Sequence, residues 1–431
     1  VDREIAALAL PALGALAADP LVSMVDTAFV GRLGTVPLGA LGVNSAIFAF
    51  TFMVFNFLAY GSTPRIARAV GRGDGTEAGE VAVQALVLAV ALGTLAALLL
   101  LLLSDPVVGL MGARGELREA TLSYLRIRLL AGPAVLVVLA GHGIFRGYQD
   151  TRTPLVITVG LNLVNLVLDP ILIFGLGWGL QGAAWATVVA QWGGAGAFLA
   201  ILLGPRRELL GPQPRIPGVR ELLPFLRVGG DLVFRTAALV GTLTLSSAVA
   251  TRLGPSRIAG HQVALQLWFL LALVVDSVAV AAQALVGKYR GAGDPLALLN
   301  LTRRLLAWGV GVGVALAFLV LVAAPWLPRL FTDDPATLVE LAAVLGFVIW
   351  MQPLNALVFA LDGIFMGLES FRFLAGQMAL SAALAAATLL LVIPLGWGLA
   401  GVWWGLVVLM GVRGLTLGAR YRGLYRRASE P

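Results

Sequence analysis

"LVLAVALGTLAALLLLLL", Leu86 to Leu103, is eighteen consecutive residues without a charge. As a helix rising 1.5 Å per residue it is about 27 Å long, close to the hydrocarbon thickness of a bilayer. Similar segments fill the rest of the chain. Hydrophobic residues occupy 59% of its 431 positions and charged residues 12%, about half the charge usual in a soluble domain. These numbers imply an all-α polytopic membrane protein. Apolar runs weighed against loop signals predict twelve transmembrane helices, near 5–30, 43–63, 81–103, 122–145, 154–174, 180–203, 222–250, 261–286, 302–324, 338–365, 373–393 and 398–419.

Composition also excludes chemistry. The chain has no cysteine and two histidines, His142 and His261, neither in a metal-ligating spacing. Disulfides, thiolate metal sites and a catalytic constellation at bilayer depth are therefore not expected; the reading is not an enzyme, with no metal and no cofactor. The net charge of +7 invites a nucleic-acid reading, but the basic residues are mostly arginines between apolar runs, which suits membrane orientation. Of the 30 basic residues, 20 lie at the termini and even-numbered connections, six at odd-numbered connections, and Arg126, Arg128, Arg227 and Arg235 inside spans. Positive charge accumulates on the cytoplasmic side, so both termini are expected there, in the cell (inner) membrane, with the bilayer and no nucleic acid as partner. The chain opens at Val1 rather than Met, so a short N-terminal piece is expected to be missing. Its first apolar segment is long enough to span rather than to be cleaved as a signal.

Self-comparison reveals a repeat. "RLG" at Arg32–Gly34 recurs at Arg252–Gly254, "GRGD" at Gly71–Asp74 matches "GAGD" at Gly291–Asp294, and "GIFRG" at Gly143–Gly147 matches "GIFMG" at Gly363–Gly367, each at an offset of 220. "GWGLQG" at Gly177–Gly182 matches "GWGLAG" at Gly396–Gly401 at 219. The expected architecture is two parallel six-helix repeats around a central cavity: an N-lobe at 1–208, a Pro/Gly-rich cytoplasmic linker at 209–221 and a C-lobe at 222–431. Two matching lobes suit alternating access; a pseudo-symmetric channel is the lesser alternative.

Polar residues inside the spans break this repeat. Asp26 aligns with Ser246, Asp169 with Thr388 or Leu389, Asn165 with Leu384 or Ala385, and Thr187 with Leu406 or Val407. An intramembrane carboxylate costs about 2.5–3.5 kcal/mol on insertion scales, so one kept in a single half marks function by default. Asn162, Asn165 and Asp169 are spaced i, i+3, i+7 and share a helix face, as do Asp19, Ser23 and Asp26 in the first span. Asp169, Thr187 and Asp26 all fall in the outer half of the bilayer. Pro11 and Pro20 each remove a backbone hydrogen bond from the first helix and favour a bend there. The bland alternatives are that Asp169, before Pro170, is a structural group capped by Asn165, that Asp19 satisfies the backbone broken at Pro20, and that Thr187 packs helices.

In the second half, Asp231 and Arg235 read as a local i, i+4 ion pair. Gln262, Asp276 and Asp362 are secondary candidates for substrate contact or gating, and "RGYQDTRTP", Arg146 to Pro154, reads as a charged loop fixing the connection between the fourth and fifth helices.

Taken together, "VDTAFVGRLG" ending the first helix, "RGYQDTRTP", "NLVNLVLDP" at Asn162–Pro170, "VDSVAVAAQALVGK" at Val275–Lys288 and "ALDGIFMG" at Ala360–Gly367 resemble the multidrug and toxic compound extrusion family, in its DinF-like branch. The resemblance covers nearly the whole chain. It implies an antiporter that expels small organic compounds, often cationic and amphipathic, in exchange for H⁺ or Na⁺. For proton-coupled members it implies a coupling network at Asp26, Asn165, Asp169 and Thr187, with the bend at Pro11. The expected function is proton-coupled export by a functional monomer. The alternatives are Na⁺ coupling through the same carboxylates and, more remotely, a lipid-linked oligosaccharide flippase, which would want more arginines away from the helix ends.

Overall fold

The computed structural model describes residues 1–211 and 215–429; residues 212–214 of the expected linker lie outside it. Among the described residues every regular element is helical. Twelve of these helices are long and apolar enough to cross a membrane: α1 Asp2–Gly31, α2 Thr35–Gly71, α3 Gly75–Leu102, α4 Gly115–Gly147, α5 Arg152–Gly175, α6 Gly179–Leu203, α7 Val219–Leu253, α8 Pro255–Ala292, α9 Pro295–Ala323, α10 Pro335–Gly367, α11 Phe371–Leu391 and α12 Gly398–Leu424. The number matches expectation, but several helices start earlier than their apolar runs do. Polar caps extend them. The Asp74 carboxylate accepts the Glu77 N–H at 2.9 Å and opens α3. Asp294 accepts from Leu296 at 3.0 Å and Ala297 at 2.9 Å and opens α9. Asp334 accepts from the Thr337 hydroxyl and the Thr337 N–H at 2.8 Å, bonds that hold its carboxyl below the usual range.

The repeat seen in the letters is a repeat in packing. α2 packs on α3 and α4, α3 on α4, α4 on α6 and α5 on α6; six helices later α8 packs on α9 and α10, α9 on α10, α10 on α12 and α11 on α12. Close backbone contacts carry the same offset. A Cβ on Gly143 would lie 2.7 Å from Ala59 Cα, and one on Gly363 would lie 2.9 Å from Ala279 Cα. The pairs Gly143/Gly363 and Ala59/Ala279 are each 220 apart. Small residues let helix backbones approach where lipid supplies no hydrophobic drive between them. The connection that follows repeats too: Gln149 and Glu369, again 220 apart, both take positive φ, 64° and 55°.

Two compact units result. One is Leu10–Gly229; the other joins Val1–Ala9 to the chain from Gly230 onward. Within the second, Ile5, Leu8 and Ala9 are buried with Leu285, Leu301 and Ile364. Asp2 there accepts the Trp308 indole N–H at 3.0 Å, and Glu4 accepts the Tyr289 hydroxyl at 3.0 Å beside Lys288 at 3.5 Å. Within the first, the opening turns of α7 are held likewise. Phe225 packs on Phe57 with ring centroids 6.2 Å apart and lies under the Arg65 guanidinium at 5.4 Å. The switches between units fall after Ala9 and after Gly229, separated by the repeat offset of 220. Helix-weakening residues stand at both: Pro11 in α1, and Gly229–Gly230 in α7. The backbone of α1 is helical on both sides of Pro11 and Pro20.

Candidate functional site

α1 and α5 bring the acidic residues together. Asn162, Asn165 and Asp169 are all buried on one face of α5, with Asp169 only 1% exposed. The helix is free to turn there because Pro170 lacks an N–H, and the chain relaxes into a π-helical turn at Ile171–Gly175. α6 passes close behind: a Cβ on Gly182 would meet the Leu172 carbonyl carbon at 2.7 Å.

The Asp26 and Asp169 carboxyl groups stand side by side, and the Arg128 guanidinium and buried Tyr124 hydroxyl of α4 lie beside them. Neither oxygen of Asp169, nor Oδ1 of Asp26, receives a hydrogen bond among the described residues. Asn165 does not cap Asp169, since its Nδ2 is also without an acceptor. Thr187 donates to its own helix, to the Ala183 carbonyl at 3.0 Å. Asp19 is bridged to α5 by Asn162 Nδ2 at 2.8 Å. Asp19, Ser23, Asp26, Asn162, Asn165 and Thr187 all line one cavity of about 260 Å³.

Among the lining residues that the sequence reading did not assign to the site are Tyr124, Arg128 and Asn44. Arg128 sits 4.7 Å over the Phe48 ring, and buried Asn44 donates to the carbonyls of Ala40 at 2.8 Å and Thr121 at 3.1 Å. A signal existed. Arg128 is an arginine inside a span, one helical turn after Tyr124, and their counterparts 220 residues later are Val348 and Val344.

The chemistry follows from charge and donors. Two carboxylates beside one guanidinium carry one net negative charge, so one proton makes the cluster neutral. That proton also supplies a hydrogen-bond donor to carboxylate oxygens that have none.

The second-half candidates do not join this cavity. Asp231 is half-buried in α7, Asp276 half-buried in α8, and Gln262 exposed, donating weakly to Ser247 Oγ at 3.4 Å. The expected Asp231–Arg235 pair is not formed. Arg235 instead donates to Asp362 Oδ2 at 2.7 Å, and Arg413 donates to the same oxygen. Asp362 is the more deeply buried carboxylate, where a charge without a partner costs most, so it captures both guanidiniums. The "RGYQDTRTP" stretch is a loop only in part. Asp150 does tie it, accepting from the Arg152 and Thr153 N–H groups at 3.0 Å each, but Arg146 is buried.

Comparison with known proteins places the chain. The MatE family model matches residues 11–171 and 232–397. Protein DETOXIFICATION 44, chloroplastic, of Arabidopsis thaliana is 37% identical, over 97% of this chain and 82% of that protein. DNA damage-inducible protein F of Escherichia coli is 30% identical, over 99% and 94%. A crystal structure described as MATE in the bent conformation superposes with TM-score 0.92 at 23% identity, over 100% of this chain and 97% of that one; the straight conformation gives 0.87 at 23%, over 99% and 96%. These structures show the fold. With twelve spanning helices, a repeat carried through the packing and family resemblance along nearly its whole length, the chain is a multi-pass membrane protein of the MatE family of multidrug and toxic compound efflux transporters.

Proposed function

We propose that the protein is a proton-coupled antiporter of the cell membrane, with both termini cytoplasmic, exporting small amphipathic organic compounds. The observation that carries this reading is the Asp26–Asp169 pair beside Arg128, with Asp26 and Arg128 lining a cavity and Asp169 buried behind it, in the first half of the chain alone. Protonation from the acidic side discharges the pair, weakens its attraction for a cationic substrate and changes which packing of α1 against α5 is preferred. Pro11 is where α1 gives way, next to its switch between units. Asn165 and Thr187 line the cavity as the polar groups that the carboxyls meet on rearranging. Asp362, committed to two arginines, takes no part in the proton cycle. One chain carries both repeats and works as a monomer.

The test is efflux of a fluorescent organic cation from proteoliposomes under a pH gradient and, separately, under a Na⁺ gradient. The pH gradient alone is expected to drive efflux, and Asp26→Asn and Asp169→Asn are each expected to reduce it at least tenfold. Full activity in Asp169→Asn would overturn the proton site. Na⁺ is the second reading, because the unpartnered carboxylate oxygens are hard ligands of the kind alkali and alkaline-earth ions take; efflux driven by Na⁺ and indifferent to pH would establish it.

A further inference from the structure

A second cavity, of about 500 Å³, lies in the same unit as the acidic cluster and shares Asp19, Phe48, Leu161 and Gln191 with the first. That volume suits a drug-sized molecule. Its walls are mostly apolar and aromatic, including Phe52, Tyr60, Leu136 and Leu139. Its lining includes one acid, Asp19, and one guanidinium, Arg146. Arg146 is 6% exposed and lines this cavity.

Two comparisons separate Arg146 from a structural arginine at a helix end. Its counterpart in the second repeat, within the otherwise matching "GIFMG", is Met366. The equivalent turn of α10 therefore folds and packs with an apolar side chain, so the repeat does not demand a charge there. Two neighbouring polar groups of the wall are engaged with each other: His142 Nε2 and Thr158 Oγ1 lie 3.0 Å apart. A guanidinium carries five donors in a planar fork, enough to keep a protein partner and still bind a carboxylate. At the other pole, the Asn162 bond to Asp19 uses one carboxylate oxygen and leaves the negative charge available to a cation.

We infer that this cavity selects amphiphiles bearing both charges: an aromatic or apolar body, a cationic group toward Asp19 and a carboxylate on Arg146. The inference rests on the exporter reading above and narrows its substrate class from organic cations to carboxylate-bearing zwitterions. Arg146 is then the specificity-determining residue.

Two xanthene dyes of nearly the same body test it: rhodamine B, a zwitterion with a free carboxylate at neutral pH, and rhodamine 6G, whose carboxylate is esterified. Fluorescence anisotropy titrations of the full chain in detergent, corrected for empty micelles, need no ion gradient and so are independent of coupling. Wild type is expected to bind rhodamine B roughly tenfold or more tightly than rhodamine 6G, the scale of a charge-assisted hydrogen bond. Arg146→Met is expected to abolish that preference while leaving rhodamine 6G binding unchanged, which also shows that the variant is folded. Arg146→Lys, keeping the charge without the fork, is expected to keep part of it, and Asp19→Asn to weaken both dyes. Equal binding of the two dyes by wild type, or equal losses for both in Arg146→Met and Arg146→Lys, would overturn the inference and leave the exporter reading standing. Binding of neither dye would overturn the exporter reading of this cavity itself.

Discussion

Arg235 reaches past Asp231 on its own helix to donate to Asp362, 127 residues away, at 2.7 Å, and Arg413 donates to the same carboxylate oxygen. The side chains are 12%, 4% and 2% exposed for Arg235, Asp362 and Arg413. Removing the acid leaves two guanidiniums facing each other without a counter-charge. Breaking a buried pair in this way costs roughly 3–5 kcal/mol, whereas replacing a pair by apolar groups of similar volume is near neutral. Asp362→Asn should therefore lower the thermal midpoint of the detergent-solubilised protein sharply. The triple variant Asp362→Leu/Arg235→Met/Arg413→Met, which leaves no buried charge unpaired, should recover much of the loss. A wild-type midpoint in Asp362→Asn would show that the cluster is not holding α7, α10 and α12 together.

Arg128 is the cation of the acidic cluster, whereas Arg126, two residues earlier, is exposed and lies 3.8 Å from Asp105. Removing Arg128 takes away the counter-charge that Asp26 faces in the cluster. Arg128→Gln should reduce pH-driven efflux roughly tenfold or more, and Arg126→Gln should leave it within twofold. Equal effects at the two positions would remove Arg128 from the site.

The anchor of α1 allows a decision between charge and packing. Glu4 and Lys288 are each 38% exposed, and such pairs contribute about 0–1 kcal/mol. Ile5 is 0% exposed among Leu285, Leu301 and Leu305, and truncating a buried isoleucine costs about 2–5 kcal/mol. Unfolding of the solubilised protein should thus be barely changed by Lys288→Ala and clearly destabilised by Ile5→Ala. The reverse order would mean that the ionic contacts, not the buried turn, fix the start of the helix.

Gly143 and Gly363 should behave as twins. A valine at either must displace the backbone of α2 or α8, and overpacking of this kind costs about 1–3 kcal/mol or more. Gly160, where a Cβ would meet nothing within 4 Å, should accept alanine with no loss. Expression and monodispersity on size exclusion separate the outcomes: tolerance of valine at one position and not the other would show that the two halves no longer share their packing.

What the sequence determined by itself follows from short-range physics. Twelve spans are legible because the bilayer forces every backbone polar group into a helix, so span length and hydropathy suffice. The repeat is legible because close helix contacts demand small residues at fixed places, and Gly143 and Gly363 record that demand at one offset. The polar stripes at Asp19–Asp26 and Asn162–Asp169 are legible from helical periodicity alone. Which residues meet across the bundle is not, because that depends on how helices far apart in the chain rotate toward each other. Periodicity could not show that Arg235 prefers a buried carboxylate on α10 to its i−4 neighbour. Nor could it show that Arg128 comes to rest beside Asp26, or that α1 begins in one unit and carries its acids in the other. Those outcomes were decided by tertiary packing, since burial makes an unpaired charge far more costly than a local contact is favourable.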